Sequence, residues 1–414
     1  MTELVDVGSL AAVVAEAADP LERELGSLLA IAAIAALAPL LVGLLRLKVA
    51  EVVVLIGLGV VAGPELLGLI EPDDAILLLS NLGLGFLFFL AGYEIDQDAL
   101  RGEPGRLGLI GWLVSFGLAI VVVGTLDLVG IAQTFAATAI ALSSTALGTL
   151  LPVLRDQGQV GTPFGRLFLG AGAFGEFGPV LAMSVLLGAQ GKLAAIISLV
   201  LFGLVALLLS WVPERIRNRR IEGVITQGDE TSSQTPVRLT VLLLVALLAL
   251  AGGFGLDVVL GAFLAGMIFR RYAPDGPEAT LRTKIEALAF GFFIPLFFVV
   301  SGATLDIRSI IDNPVPLVIA FVLLLLLRGA PQLLVYRRAI PDPLRRLQLS
   351  LLIATGLPII VAVTSVAVGS GAMTSGNAAA LVGAGALTVL VLPLASDVVG
   401  RRADARQARA EATA

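Results

Sequence analysis

Residues 170–181 read GAGAFGEFGPVL and place one carboxylate, Glu176, in the middle of a glycine-rich apolar run. The surrounding residues are those of a transmembrane helix, where a charged side chain costs at least about 2.5–3.5 kcal/mol at the bilayer centre. Such residues are rare and usually functional, so Glu176 is the first candidate for a binding site. The other interpretation is a structural carboxylate, protonated or paired where helices pack.

The composition of the 414-residue chain is that of an integral membrane protein. It is 57% hydrophobic and 14% charged, whereas soluble domains carry roughly 25% charged residues. It has no histidine and no cysteine, which excludes disulfides, thiolate metal sites and imidazole proton carriers. Proton chemistry must therefore use carboxylates. A soluble enzyme is excluded, and we expect neither a cofactor nor a nucleic-acid partner.

Apolar runs of about 20 residues predict an all-α protein with 13 transmembrane helices in a lipid bilayer. The predicted spans are residues 25–46, 49–64, 75–95, 107–127, 131–154, 165–189, 193–213, 238–255, 257–270, 284–304, 314–336, 347–370 and 376–399. Of the 27 basic residues, all except Arg23, Lys192, Arg308 and Arg328 fall in loops on one side. This bias predicts an extracellular N-terminus and a cytoplasmic C-terminus in the cell (plasma) membrane.

The two halves of the chain resemble each other on either side of a polar segment, 214–237, which we predict to be a cytoplasmic loop. Residues 88–96, FFLAGYEID, align with 298–306, FVVSGATLD, and the same offset places Thr145 on Thr355. Because the offset corresponds to seven helices, the second half is predicted to be inverted. Inverted repeats are typical of transporters, with the binding site where the halves meet.

Four polar residues are predicted to lie at one depth in the membrane. Thr145, Glu176, Arg328 and Thr355 each lie nine or ten residues from a basic residue at the cytoplasmic end of the same span. At 1.5 Å per residue this is roughly 15 Å, the middle of a hydrocarbon core about 30 Å thick. The sequence therefore predicts that these side chains meet in one plane.

Two of the helices look interrupted at this depth. One carries three consecutive hydroxyls, and Pro358 in the other lacks an amide donor and crowds the preceding turn. Freed backbone is tolerated in a bilayer only around a protein-lined cavity, so we predict that the helices break and cross here. The predicted discontinuous segments contain Ser143, Ser144 and Thr145, and Thr355, Gly356 and Pro358. The alternative is that the hydroxyls bond back to their own helix and that Pro358 is only a kink.

These residues predict a secondary antiporter that exchanges a monovalent cation for a proton. Glu176, with the hydroxyls of the first break, would bind either a proton or Na+ or K+, but not both. Arg328 would neutralise the carbonyl ends of the broken helices or pair with Glu176. Since arginine does not release its proton, one carboxylate predicts one cation per proton.

Five motifs carry a resemblance to a known family. They are 61–68 VAGPELLG, 89–96 FLAGYEID, 139–146 AIALSSTA, 260–266 LGAFLAG and 295–302 PLFFVVSG. In these motifs and their order, the chain resembles the second monovalent cation:proton antiporter family, the Kef- and Nap-type exchangers with an NhaA-like fold. The resemblance places Glu176 where the family carries its ion-binding aspartate, and Arg328 where it carries a lysine or arginine.

The resemblance also implies a division of the chain and an elevator-type mechanism. Scaffold helices, usually forming a homodimer, would hold still while core helices carry the ion. The implied divisions are an extracellular segment 1–24, scaffold helices in 25–97 and 238–304, core helices in 107–190 and 313–400, a linker helix 192–213, the loop 214–237 and a cytoplasmic tail 401–414.

The chain departs from the family at the site itself. The usual pair of polar residues is replaced by Gly175-Glu176, which argues against the electrogenic two-carboxylate type and leaves Na+, K+ and Li+ open. The chain also stops after a short charged tail, so we expect no nucleotide-binding regulatory domain in it.

Two further charges are weaker candidates. Glu94 could support the dimer scaffold or bind lipid headgroups, and Asp156 could attract cations to an inner funnel. Solvated helix-end charges are the simpler interpretation of both. Two other functions remain open: a sodium-coupled symporter for an organic solute, and a non-transporting sensor or channel on the same fold. A symporter is expected to have more polar residues and no arginine at the crossing.

Overall fold

A computed structural model describes residues 20–44, 50–94, 102–128, 135–156, 158–187, 192–216, 234–272 and 279–413. Within these ranges the chain is helical and contains no strand, which confirms the predicted all-α class. The helices are α1 (Pro20–Leu44), α2 (Glu51–Ala62), α3 (Asp74–Glu94), α4 (Gly102–Leu128), α5 (Phe135–Leu142), α6 (Leu147–Asp156), α7 (Pro163–Leu186), α8 (Lys192–Ile216), α9 (Thr235–Gly253), α10 (Val258–Tyr272), α11 (Ala279–Leu288), α12 (Ile294–Ala303), α13 (Ile307–Asp312), α14 (Val315–Leu323), α15 (Ala330–Val335), α16 (Pro343–Ile353), α17 (Leu357–Gly369) and α18 (Ser375–Thr413).

In the described ranges, nine helical segments are long and apolar enough to cross a membrane, and four shorter apolar helices accompany them. The shorter ones are Glu51–Ala62, Phe135–Leu150, Ile196–Leu208 and Val258–Arg270. Each of the 13 predicted spans overlaps one of these segments, so the protein is a multi-pass membrane protein. The number of complete crossings stays a prediction.

The predicted terminal segments and the predicted long loop lie partly outside the described residues. Most of the predicted segments 1–24 and 214–237 lies outside the described residues. The predicted tail 401–414 continues α18 as a helix to Thr413. Arg345, near the start of α16, forms an ion pair with Asp404 on this extension. The last predicted span therefore ends without a break in the helix.

The chain divides into two compact units. The first contains the described residues of Met1–Gly83 with Phe292–Leu305, and in it α2 and α12 touch backbone to backbone. A side chain at Gly59 would collide with the carbonyl oxygen of Val299, and one at Gly302 with that of Ile56. Membrane helices associate through small residues of this kind because lipid supplies no hydrophobic drive for association.

The second unit, Leu84–Gly291 with Asp306–Ala414, contains both interrupted helices. The chain leaves helical geometry at 143–146, between α5 and α6, and again at 354–356, between α16 and α17. A buried apolar cluster packs α6, α7 and α16 together on one side of these breaks. Its members are Leu147, Leu150, Leu154, Leu167, Phe168, Ala171, Tyr336, Ile340, Leu349, Leu352 and Ile353.

Two spans contain a π-helical segment just before a proline. Ala289–Phe293 precedes Pro295, and Leu324–Gly329 precedes Pro331. Proline removes an amide donor and crowds the carbonyl four residues earlier, so the helix widens there instead of keeping its regular hydrogen bonds. The second π segment, which we call the Arg328 segment, carries the predicted midplane arginine.

The contact between α2 and α12 is testable with two alanine variants in one helix. Gly59→Ala should lower the melting temperature by about 2–5 °C, because its methyl group forces the two backbones apart. Gly57→Ala should leave it unchanged or raise it slightly, since a β-carbon there meets no atom within 4 Å. Thermal unfolding of the detergent-solubilised protein measures both, and equal melting of the two variants would contradict the contact.

Candidate ion-binding site

The two interrupted helices are tied together at their breaks. The backbone amide of Ala146 donates to the carbonyl of Thr355 at 2.7 Å. The hydroxyl of Thr145 donates to the carbonyl of Ile353 at 2.6 Å, and its backbone amide donates to the carbonyl of Gly175 in α7 at 3.0 Å. The backbone freed by each break is thus satisfied by the other break and by α7, as a dry membrane interior requires.

The serines of the first break are buried and bond locally. Ser143 and Ser144 donate their hydroxyls to the carbonyls of Ile140 and Ala141, at 2.9 and 2.8 Å. They therefore satisfy the carboxyl end of α5, which is the contact that the alternative interpretation of these residues requires. Their oxygen lone pairs are not used in these bonds, and a role in ion binding stays a prediction.

Glycine and proline shape the second break. A β-carbon on Gly356 would lie 2.7 Å from the hydroxyl oxygen of Ser144, so a larger residue would push the breaks apart. Pro358 lies in the first turn of α17, where its missing amide has no helical partner to lose. Proline therefore starts the second half-helix. The hydroxyl of Thr355 donates back to Leu351 at 3.4 Å.

Glu176 projects from α7 onto the amino end of α6. Its Oε1 accepts from the amide of Leu147 at 2.6 Å and from that of Gly148 at 3.3 Å. The positive end of the α6 dipole favours a negative charge there. The side chain is only 4% exposed. Its other oxygen, Oε2, is buried without a hydrogen-bond partner among the described residues.

Arg328 lies at the same crossing but binds different groups. Its Nε donates to the hydroxyl of Thr145 at 2.8 Å, and its Nη2 donates to the carbonyl of Ala171 at 3.3 Å. Its Nη1 is buried without a partner among the described residues. No ion pair joins Arg328 to Glu176 in the part of the chain that the structure describes. The predicted ion pair is therefore absent among the described residues, and the neutralising role of Arg328 stays a prediction.

The arrangement gives a physical reason for Gly175. A β-carbon at this position would lie 2.5 Å from Nη2 of Arg328 and 2.6 Å from Cβ of Thr145. The volume that a first polar residue of the usual pair would need is therefore filled by the guanidinium and the threonine. Glycine at position 175 and the observed position of Arg328 therefore depend on each other, because a side chain at 175 would overlap the guanidinium.

Gln332 and Ser350 support the Arg328 segment, and the sequence reasoning missed both. The Nε2 of Gln332 has three acceptors in range: the carbonyl of Arg328 at 3.0 Å, the hydroxyl of Ser115 at 3.1 Å and the carbonyl of Gly111 at 3.3 Å. The hydroxyl of Ser350 donates to the carbonyl of Gly329 at 2.8 Å. Gln332 is a polar residue one turn after Arg328 in an apolar span, and that spacing could have indicated it.

The two weaker candidates fall at different places. Asp156 is the last residue of α6, and its side chain lies outside the described structure. Glu94 ends the described part of α3, and its Oε2 lies 3.4 Å from the position that a β-carbon on Gly148 would occupy. Glu94 is therefore close to the residues that bind Glu176. The sequence did not indicate this proximity.

A buried carboxylate at the crossing of two interrupted helices can bind a proton or a small cation, and a guanidinium at the same crossing is able to balance the carbonyl ends of helices. Discontinuous helices with an ionisable residue at their crossing define the class of ion-coupled secondary transporters. The chain belongs to the sodium/hydrogen exchanger family, whose transmembrane profile matches residues 31–398.

Named relatives agree with this family. The chain is 28% identical over 306 residues to the Na(+)/H(+) antiporter NhaS5 of Synechocystis sp., covering 70% of this chain and 42% of that protein. It is 26% identical over 263 residues to the Na(+)/H(+)-K(+) antiporter GerN of Bacillus cereus, covering 61% of this chain and 64% of that protein. The chain thus spans less than two thirds of the length of either relative.

A solved structure shares the fold. The sodium proton antiporter MjNhaP1 of Methanocaldococcus jannaschii superimposes with a TM-score of 0.67 at 17% identity, covering 91% of this chain and 96% of that chain. The antiporter family and fold that the sequence motifs indicated are therefore confirmed. The likeness at this identity concerns the fold and not the site.

Thr145 links α7, α16 and the Arg328 segment, so loss of its hydroxyl should lower the stability of the folded protein. Thr145→Val leaves Nε of the buried Arg328 guanidinium and the buried carbonyl of Ile353 unpaired, at about 1–3 kcal/mol for each group. We expect a melting temperature lower by about 3–8 °C, with Thr145→Ser close to wild type. Thr149→Val is the matched control, because Thr149 bonds only within its own turn, to Ala146. Equal effects of the two valine variants would contradict the linking role.

Proposed function

We propose that the protein is a secondary antiporter that exchanges one monovalent cation for one proton across the membrane, with Glu176 carrying either ion in alternation. Ser143, Ser144 and Thr145 would supply further oxygen atoms to the cation, and Arg328 would keep the carbonyl ends of the broken helices neutral. Thr355, Gly356 and Pro358 would hold the second break open.

One observation carries this proposal: Oε2 of Glu176 is buried without a partner among the residues that the structure describes, while Oε1 accepts from the amino end of α6. A carboxylate that served only packing would have both oxygens satisfied, because unpaired buried groups are costly. One oxygen fixed and one available is the arrangement that a binding carboxylate needs.

Sodium and potassium are the candidate cations. The names of the relatives mention Na+ in both cases and K+ in the case of GerN. We propose that the transported ion is Na+ or K+, with H+ moving in the opposite direction and no cofactor taking part.

The stoichiometry follows from the charges at the crossing. Glu176 accepts from two backbone amides at the amino end of α6, and arginine stays protonated throughout. Whether it binds H+ or Na+, the loaded site has the same net charge. We therefore propose an electroneutral cycle with one cation per proton.

A Glu176 side chain loaded with a proton or a cation carries no net charge and can be moved across the bilayer at low cost, whereas a bare carboxylate cannot. This supports an elevator-type movement of the core helices, 107–190 and 313–400, against the scaffold, 25–97 and 238–304. The homodimer, the location in the plasma membrane and the outward N-terminus remain proposals based on the family resemblance and the distribution of arginine.

Replacing the carboxylate tests the proposal directly. In proteoliposomes, Glu176→Gln should abolish cation-driven proton movement, because the neutral amide cannot exchange a proton for a cation. The wild type should respond to at least one of Na+, K+ and Li+ when each is tested alone with a pH-sensitive dye inside the vesicles. The responding ion identifies the substrate.

Glu176→Asp is the matched variant, since it keeps the charge and shortens the side chain by one methylene. It should retain part of the activity. If Glu176→Gln exchanges like the wild type, Glu176 is structural. If the wild type moves no protons with any of the three cations, the symporter or sensor interpretation is correct instead.

Electroneutrality is a separate expectation. The initial rate of exchange should be the same at zero membrane potential and at 100 mV imposed across the vesicle membrane. A cycle that moves one net charge would gain or lose about 2.3 kcal/mol per 100 mV. A rate that depends on the imposed potential would therefore rule out one-for-one exchange.

A further inference from the structure

An apolar groove, which we call the α4–α15 groove, runs along the surface of the second unit between α4 and the span that carries Arg328. Val114 and Leu118 of α4 form one wall, and Leu326, Ala330 and Leu334 form the other. The groove has a volume of about 520 Å³, which lies within the roughly 300–1,000 Å³ of pockets that bind small molecules. Its lining is apolar except at one end, so most of it suits a hydrocarbon chain.

The length of the groove matches one leaflet of a bilayer. Leu326 lies in the Arg328 segment, close to the predicted middle of the membrane, and Arg337 lines the other end. These two residues are eleven positions apart, which corresponds to about 16 Å at 1.5 Å per residue. Half of a hydrocarbon core about 30 Å thick is about 15 Å. An acyl chain of one leaflet therefore fits along the groove with its headgroup end at Arg337.

Arg337 places a positive charge at this end of the groove. Arg337 and its neighbour Arg338 are both exposed, and neither forms an ion pair with another residue that the structure describes. Both lie on the side of the chain that the basic loops predict to be cytoplasmic. Basic pockets between transmembrane helices on this side bind anionic lipid headgroups, and a guanidinium binds phosphate oxygens through charge-assisted hydrogen bonds. The charge at the groove therefore favours an anionic lipid over a zwitterionic one.

Hydrogen bonds behind the groove hold its two walls together. Nε2 of Gln332, in α15, has the carbonyl of Gly111 and the hydroxyl of Ser115 in α4 within range, at 3.3 and 3.1 Å. The same nitrogen donates to the carbonyl of Arg328 at 3.0 Å. Walls fixed in this way lower the entropic cost of binding a chain between them. Because Leu326 belongs to the Arg328 segment, a bound chain would pack directly against that segment.

We propose that the α4–α15 groove is a binding site for one phospholipid with an anionic headgroup. One acyl chain lies between the walls of the groove, and the phosphate of the headgroup binds Arg337. The bound chain covers the lipid-facing side of the Arg328 segment and so stabilises the span that carries the midplane arginine. This site is separate from Glu176, and the inference does not depend on the proposed exchange of ions.

Native mass spectrometry of the detergent-solubilised protein tests the site with a mixture of equal amounts of phosphatidylglycerol and phosphatidylcholine. The wild type should retain one phosphatidylglycerol in preference to phosphatidylcholine. Arg337→Gln should lower the retention of phosphatidylglycerol about fivefold, the effect of one arginine near an anionic lipid. Equal retention of the two lipids by the wild type would overturn the proposal.

Two further variants separate the headgroup from the chain. Arg402→Gln is the matched control, because it removes one exposed arginine from α18, and it should retain phosphatidylglycerol like the wild type. If it behaves like Arg337→Gln, the lipid adsorbs to basic residues in general and the proposal is wrong. Ala330→Leu narrows the groove and keeps Arg337, so it should also lower retention. Unchanged retention in this variant would show that no chain lies in the groove.

A measurement on the wild type makes the test independent of how any variant folds. Phosphatidylglycerol should raise the melting temperature by about 2–4 °C more than phosphatidylcholine does, because a ligand of the folded state stabilises it. Glycerol 3-phosphate, which has the phosphate without the acyl chains, should have no effect at the same concentration. If glycerol 3-phosphate stabilises the protein as much as the lipid does, or if the two lipids act alike, the proposal is wrong.

Discussion

The site depends on the hydrogen bonds between two broken helices. A bilayer offers no water to satisfy free amides and carbonyls, so each break can exist only because the other is present. Thr145 makes three of these hydrogen bonds. Its amide donates to α7, its hydroxyl donates to α16, and the same hydroxyl oxygen accepts from Arg328. The breaks, the arginine and the surrounding helices must therefore form together. Polar chemistry at the membrane centre is a property of this assembly and not of any one helix.

The charges at the crossing are separated rather than paired. Glu176 binds the amino end of α6, and Arg328 binds a hydroxyl and a carbonyl, so each charge is stabilised by a helix end or a break and not by the other charge. A direct ion pair would hold the carboxylate in one state, because breaking a buried pair is costly. Backbone amides at a helix end stabilise the carboxylate and still leave one oxygen available. In the proposed cycle, this separation would let one residue bind two different ions in turn.

Much of this architecture could be predicted because a bilayer imposes simple rules. Apolar runs indicated the helices, and Gly356, Pro358 and the hydroxyl cluster indicated where two of them break. Counting residues from the basic helix ends placed Thr145, Glu176, Arg328 and Thr355 at one depth. Depth does not give the rotation of a helix about its axis, however, so the partners of Glu176 could not be predicted. Glu94 was a candidate in the sequence, but its position beside α6 could not be predicted for a related reason: it depends on the backbone contact between α3 and α10. The spacing of Gln332, one turn after Arg328, could have indicated a polar neighbour of that arginine, but nothing in the sequence connects Gln332 to Ser115.

The packing at Gly175 limits how this protein could have evolved. Relatives of the Kef and Nap type usually carry two polar residues in the position where this chain has Gly175-Glu176. Here, any side chain at 175 meets the guanidinium of Arg328 and Thr145, so a second carboxylate cannot be gained by one substitution. The arginine or the threonine would have to change first, and either change disturbs the crossing. A second carboxylate at position 175 would therefore need a compensating change in the arginine or the threonine that fills its volume.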